Sequence, residues 1–149
     1  MSTPRTNPYH AAPAVIKIMR DFDKAVRGLG LDPKLLHLVK LRASQINGCA
    51  YCIDLHCREA RADGEAQQRL DVLSTWRETE FYDAREQAAL AWTEALTRVA
   101  DINAPDDAYD TLASAFGEAE RVALTLAIVA INGWNRIAIG FRMAPTRTQ

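Results

Sequence analysis

Asn47-Gly48-Cys49-Ala50-Tyr51-Cys52-Ile53-Asp54-Leu55-His56-Cys57 gathers all three cysteines of the chain and one of its three histidines into eleven residues. Cysteine occurs nowhere else, so the clustering points to chemistry. Read as a helix, the spacing becomes geometry, because positions i, i+3, i+4 and i+7 share a face. Cys49, Cys52, Ile53 and His56 fit that series, and Ala60 extends it. Two thiols one turn apart can close a disulfide, and an imidazole one turn further on can take a thiol proton. Asn47-Gly48 reads as the end of a preceding helix, with Gly48 in the left-handed position that closes it. The next helix then starts near Cys49, where free N–H groups and the positive dipole end favour a thiolate.

That reading sets the frame for the rest. The 149 residues suffice for one domain, and 48% hydrophobic content supplies a core. A net charge of −1 offers nothing to nucleic acid or to an anionic membrane. The first eight residues are polar and carry proline, without the apolar core of a signal peptide. The longest apolar run, 122–131, is too short to span a bilayer. The expectation is a cytoplasmic protein. There a C-x-x-C is catalytic or metal-binding more often than a staple, and an odd cysteine count fits a disulfide framework poorly.

Along the chain every periodic stretch is helical. Residues 1–12 read as a flexible arm that docks through Tyr9, and 13–149 as one all-α domain. Val15, Ile18, Met19, Phe22 and Val26 form an apolar stripe ended by Gly28 and Gly30. Asp32-Pro33 is a helix start, with an N-cap followed by proline at the first position. That helix buries Leu35, Leu38, Val39 and Leu41. The dithiol helix ends near Asp63-Gly64, and a short helix from Glu65 reaches Trp76. Asp83 and Glu86 spell a capping box for a helix striped by Ala88, Ala91, Trp92, Ala95, Leu96 and Val99. Another helix follows Pro105 and ends at Gly117. The last begins near Glu118 and runs toward Arg142; its apolar surroundings predict a central helix or a subunit interface.

The run Leu38-Val39-Lys40-Leu41-Arg42-Ala43-Ser44-Gln45-Ile46-Asn47-Gly48-Cys49-Ala50-Tyr51-Cys52-Ile53-Asp54-Leu55-His56 resembles the alkylhydroperoxidase D-like branch of the carboxymuconolactone decarboxylase family. The likeness continues through Trp76-Arg77-Glu78-Thr79, through Ala89-Leu90-Ala91-Trp92-Thr93-Glu94-Ala95, and through Ala130-Ile131-Asn132-Gly133-Trp134-Asn135-Arg136-Ile137. It implies an all-helical homo-oligomer, a trimer or hexamer, that reduces peroxides with its own dithiol and no other cofactor or metal. By that resemblance Cys52 attacks the peroxide, Cys49 resolves the sulfenic acid as a disulfide, and His56 takes the thiol proton. A lipoyl- or thioredoxin-type protein restores the dithiol.

The chain departs from the pattern at two places. His37 stands where fully equipped members have a relay glutamate twelve residues before the first cysteine. Tyr51 stands where they have a histidine. His37 lies ten residues before Asn47 and His56 eight after Gly48. Across a helix hairpin the offset is only about 3 Å, so the two imidazoles can face each other. A second imidazole lowers its partner's pKa where a glutamate would raise it, so the expected relay is weaker.

Three alternatives remain open at this level. Cys49, Cys52 and His56, with His37 or Cys57, are the right types for a structural zinc site. The dithiol can serve as a redox sensor without turnover. Some proteins of this fold are lyases acting on lactones without cysteine. Cys57 reads as a packed small residue and His10 as solvated. Asn132, Asn135 and Arg136 read as intersubunit or intrahelical hydrogen bonding, and Glu78 and Glu94 as solvated or paired.

Overall fold

The computed structural model describes residue 3 and residues 5–147. The helices are α1 (Pro8–Ala11), α2 (Pro13–Arg27), α3 (Pro33–Asn47), α4 (Ala50–Ala62), α5 (Gln67–Asp71), α6 (Ala84–Thr97), α7 (Val99–Ile102), α8 (Asp106–Ala115) and α9 (Glu118–Gly140), with a 3₁₀ segment at Leu73–Glu78. Among the described residues there is no strand. The all-α expectation holds, and so do the start and stop signals. Asp32 accepts from the Lys34 N–H at 2.9 Å. Asp83 and Glu86 complete their reciprocal box. Gly48 closes α3 at φ 69°, ψ 33°.

α3 is the central helix, packed against α4, α6 and α9. Nine of the ten residues 35–44, all but His37, are buried. Its polar groups survive burial because each has a partner. Lys40 meets Asp23 of α2 at 3.0 Å. Arg42 meets Glu94 of α6 at 2.8 Å, and Trp76 Nε1 donates to the same carboxylate at 2.9 Å. Ser44 Oγ accepts from Asn135 of α9 at 3.0 Å. Burial alone would push the Glu94 carboxyl up, but bonds from Arg77, Trp76 and Arg42 hold it below the usual range. Glu94 is therefore one of the paired carboxylates that the sequence suggested.

Four expectations are corrected. Of the two readings of α9 only the central helix is overturned, α3 being central: α9 covers α2, α3 and α6 on one side, and Val122, Val129 and Ile139 are exposed. Its 23 residues are long and apolar enough to cross a membrane, beyond what the ten-residue run suggested, yet half of its most apolar window is buried in the fold. The stripe of α2 is rotated. Ile16, Asp23 and Val26 are buried while Val15 and Ile18 lie open, because the helix turns Asp23 inward to Lys40 and seats Met19 over Gly133. The helix expected from Glu65 to Trp76 breaks into α5 and the 3₁₀ segment. The N-terminal arm is shorter than 1–12. Pro8–Ala11 is helical with Pro8 buried, Arg5 donates to the Gly140 carbonyl at 2.8 Å, and Arg20 lies 5.0 Å from the Tyr9 ring centroid. Met1, Ser2, Pro4, Thr148 and Gln149 lie outside the described residues.

A β-carbon at Gly48 would meet nothing within 4 Å, so the demand there is conformational alone. Gly48→Ala is expected to lower unfolding free energy by about 1–2 kcal/mol, the cost of a left-handed non-glycine residue. Chemical denaturation measures it. An unchanged midpoint would show that the corner is not held in that conformation.

Candidate functional site

The corner at Gly48 delivers Cys49 to the N-cap of α4. Its backbone is extended (φ −87°, ψ 93°), and Sγ accepts from the Cys52 N–H at 3.4 Å. A thiol here replaces the oxygen that usually caps a helix, and an anion is favoured at that end. Cys52, one turn on, places its sulfur 2.7 Å from that of Cys49, and the two share a hydrogen bond. Both are free thiols and both are buried. Asn135, fully buried on α9, adds amide hydrogen bonding that lowers both thiols. Asn135 is itself oriented by Ser44 and by Asn47, whose Nδ2 donates to Asn135 Oδ1 at 2.9 Å.

Two sulfurs this close titrate as a pair. The hydrogen bond from Cys52 pulls Cys49 down to about 7 against the opposing effect of burial, with help from the backbone N–H groups of Cys52 and Tyr51. Cys52 is pushed up, first by giving its proton to that bond and then by burial. The pair thus releases one proton near neutrality and holds the other. The negative charge rests mainly on Cys49, at the helix end. Access belongs to Cys52, which lines a cavity of about 190 Å³; Cys49 does not line it.

His56 lines the same cavity. Its Nδ1 lies 3.0 Å from Glu59 Oε2. Burial lowers the imidazole pKa first, Glu59 opposes this, and Lys40 and His37 lower it further. The bond from His56 in turn keeps the Glu59 carboxylate ionised. A neutral His56 that donates from Nδ1 leaves Nε2 as a bare acceptor.

His37 sits apart from the cavity. Its Nε2 pairs with Asp63 Oδ2 at 2.6 Å, tying α3 to the end of α4. It is close enough to bear on His56 through charge, but the carboxylate that holds His56 is Glu59, on the same helix. Sequence reasoning expected His37 itself to partner His56 as a weaker relay and overlooked the carboxylate of Glu59 at i+3. Asn135 was read as a generic hydrogen-bonding residue. No spacing could have flagged it, because it arrives from 86 positions beyond Cys49. Tyr51 and Tyr9 both line the cavity. Cys57 is half-buried and packs with the core around Leu38 and Leu73. Among the described residues no three His, Cys, Asp or Glu side chains converge as a metal-ligand set.

The carboxymuconolactone decarboxylase family model matches residues 13–95. YdfG, an uncharacterised protein of Bacillus subtilis strain 168, is 40% identical over 135 residues, covering 91% of this chain and 92% of that one. The chain belongs to the carboxymuconolactone decarboxylase family. A crystal structure from Agrobacterium tumefaciens, of a protein of unknown function described as a candidate antioxidant defence protein AhpD, superposes with TM-score 0.94 at 44% identity, covering 97% of this chain and all of that one. The alkylhydroperoxidase D-like fold is thereby shown. The debrominase Bmp8 shares the fold at TM-score 0.83 and 17% identity, over 93% of this chain and 74% of its own.

Removing one sulfur should undo the shared bond. Thiolate absorbance of the wild-type protein should show a step near pH 7 from the pair, with Cys57, raised by burial, titrating higher. Cys52→Ala should move the Cys49 step upward, because its largest lowering contact is gone. An unmoved step would mean that the helix end alone sets it.

Proposed function

We propose that the protein is a thiol-dependent peroxidase whose Cys49–Cys52 dithiol reduces organic hydroperoxides. The observation that carries this reading is the pair itself: one proton given up near neutrality, one sulfur open to a cavity, and an imidazole on the same wall. His56 accepts one proton from the pair, and the resulting anion is shared by the sulfurs. As Cys52 attacks the distal oxygen of the peroxide as thiolate, it passes the remaining proton across the shared bond to Cys49. The O–O bond breaks, sulfur is oxidised by two electrons, and the departing alkoxide takes the proton from His56 and leaves as an alcohol. Cys52 is now a sulfenic acid. The Cys49 thiol attacks it, its proton joins the departing hydroxide, and water and a disulfide result. An external dithiol reduces that disulfide by exchange and is itself oxidised. In this reading Glu59, in place of His37, steadies the imidazolium, and Asn135 stabilises the sulfur anion.

A lyase reading would leave the paired sulfurs at the cavity without a role. We also infer cytoplasmic residence, a lipoyl- or thioredoxin-type reductant, and self-association into a trimer or hexamer. Exposed Val15 and Ile18 on α2 and Val122 and Val129 on α9 support self-association. Light scattering on the purified protein should return three or six times the 16.6 kDa chain mass; a monomer at micromolar concentration refutes it.

With an organic hydroperoxide and a dithiol reductant, Cys52→Ser should abolish turnover, and His56→Ala should slow it by about 10²-fold or more. Glu59→Gln keeps a hydrogen-bonding group but removes the charge that raises the His56 pKa. The acidic limb of its rate profile should therefore shift to lower pH, with a lower plateau. Wild-type turnover no greater than that of Cys52→Ser would exclude the peroxidase.

A further inference from the structure

The cavity beside Cys52 carries more charge than the dithiol chemistry uses. Arg20, Arg27 and Lys40 line it together with only two carboxylates, Asp23 and Glu59. Glu59 is engaged by His56. Asp23 is divided: Oδ1 accepts from Lys40 Nζ at 3.0 Å and Oδ2 from Arg27 Nε at 2.9 Å. One carboxylate therefore serves two cations, and Lys40 is only 6% exposed. An ammonium has three N–H groups, and Asp23 takes one of them. Among the described residues no carboxylate lies within 4 Å of Arg20, whose guanidinium rests over the Tyr9 ring. The opposite wall is apolar, formed by Ile131, Trp134, Ile137 and Met143.

We propose that this cavity selects small substrates that pair an apolar body with a carboxylate or similar anion, the anion held by Lys40, Arg27 and Arg20. The proposal rests on the reading of Cys52 as the reacting sulfur. Lys40 is the buried cation of the three, while Arg20 and Arg27 reach the cavity from its exposed rim, so an incoming anion meets a positive mouth and a positive wall, the former screened by salt. A purely structural role, tying α2 to α3, is met by the Asp23–Lys40 pair alone. It gives Arg20, which rests over an aromatic ring with no carboxylate beside it among the described residues, no part at the cavity. The volume, about 190 Å³, lies below the 300–1,000 Å³ common for drug-sized ligands and sets the scale of the substrate.

The test uses two unreactive probes of nearly equal shape, 4-isopropylbenzoate and neutral 4-isopropylbenzamide. Each is titrated against iodoacetamide alkylation of Cys52 in the reduced full-length protein, followed by peptide mass spectrometry. The benzoate should give half-protection at roughly tenfold lower concentration than the amide, the contribution of one charge-assisted hydrogen bond. Arg20→Gln and Arg27→Gln should each bring the ratio toward one, as should high salt. Equal protection by both probes, better protection by the amide, or protection by neither overturns the proposal. Hydroperoxide turnover on the same preparation judges the peroxidase separately. Benzoate preference without turnover removes the peroxidase and keeps the anion site; turnover without preference does the reverse.

Discussion

Cys49 Sγ occupies the place of the oxygen that ordinarily caps a helix, and it is also bonded to the sulfur one turn later. Those two contacts make an ordinary helix start into a coupled pair of thiols. The cap draws negative charge to the buried end of the pair, and the neighbouring thiol supplies the proton that makes this charge tolerable. Everything around the site serves that arrangement. Gly48 turns the chain so that the cap can form, and Asn135 arrives from the far end of the sequence to contribute amide donors. The cavity opens on Cys52 alone, so the more acidic sulfur and the more accessible sulfur are different atoms. That division is the one on which the proposed two-step cycle relies.

The cost of such a site falls on α3. A central helix buried on almost every side would normally be apolar throughout, yet this one carries Lys40, Arg42 and Ser44 inward. Each is matched by a group from a different neighbour, Asp23 on α2, Glu94 on α6 and Asn135 on α9. Buried ion pairs add little net stability compared with well-packed hydrophobes, but losing one partner is severely destabilising. The pairs therefore fix which face of each helix meets α3. The register of α2 shows the effect: Asp23 is turned in, and Val15 and Ile18 are turned out as a consequence.

The position of the carboxylate behind His56 shows how the same physical requirement can be met from a different place. In the pattern that the sequence resembles, a glutamate on α3 holds that place. Here His37 holds that position and is spent on Asp63, while Glu59 reaches His56 from within α4. A contact inside one helix does not depend on how two helices pack, so the His56–Glu59 contact is more local than a cross-helix one. It also leaves the carboxylate at the cavity wall, where Lys40 and Arg27 add to the bond from His56 in keeping it ionised.

Local chemistry was legible from the residues alone. Asp32-Pro33, Asp83 with Glu86, and Gly48 mark boundaries because capping and left-handed turns depend on side chains within a few positions. The shared face of Cys49, Cys52 and His56 follows from helix periodicity in the same way, and Glu59 was open to the same reasoning. Tertiary structure alone decided what lies across a helix interface. It chose Asn135 as the amide at the sulfurs, set Lys40 against Asp23, gave Cys52 and withheld from Cys49 the cavity, and rotated α2 away from its most apolar stripe. The physical reason is that these outcomes depend on how buried charges and amides find partners between helices. Spacing along one helix carries no information about that pairing.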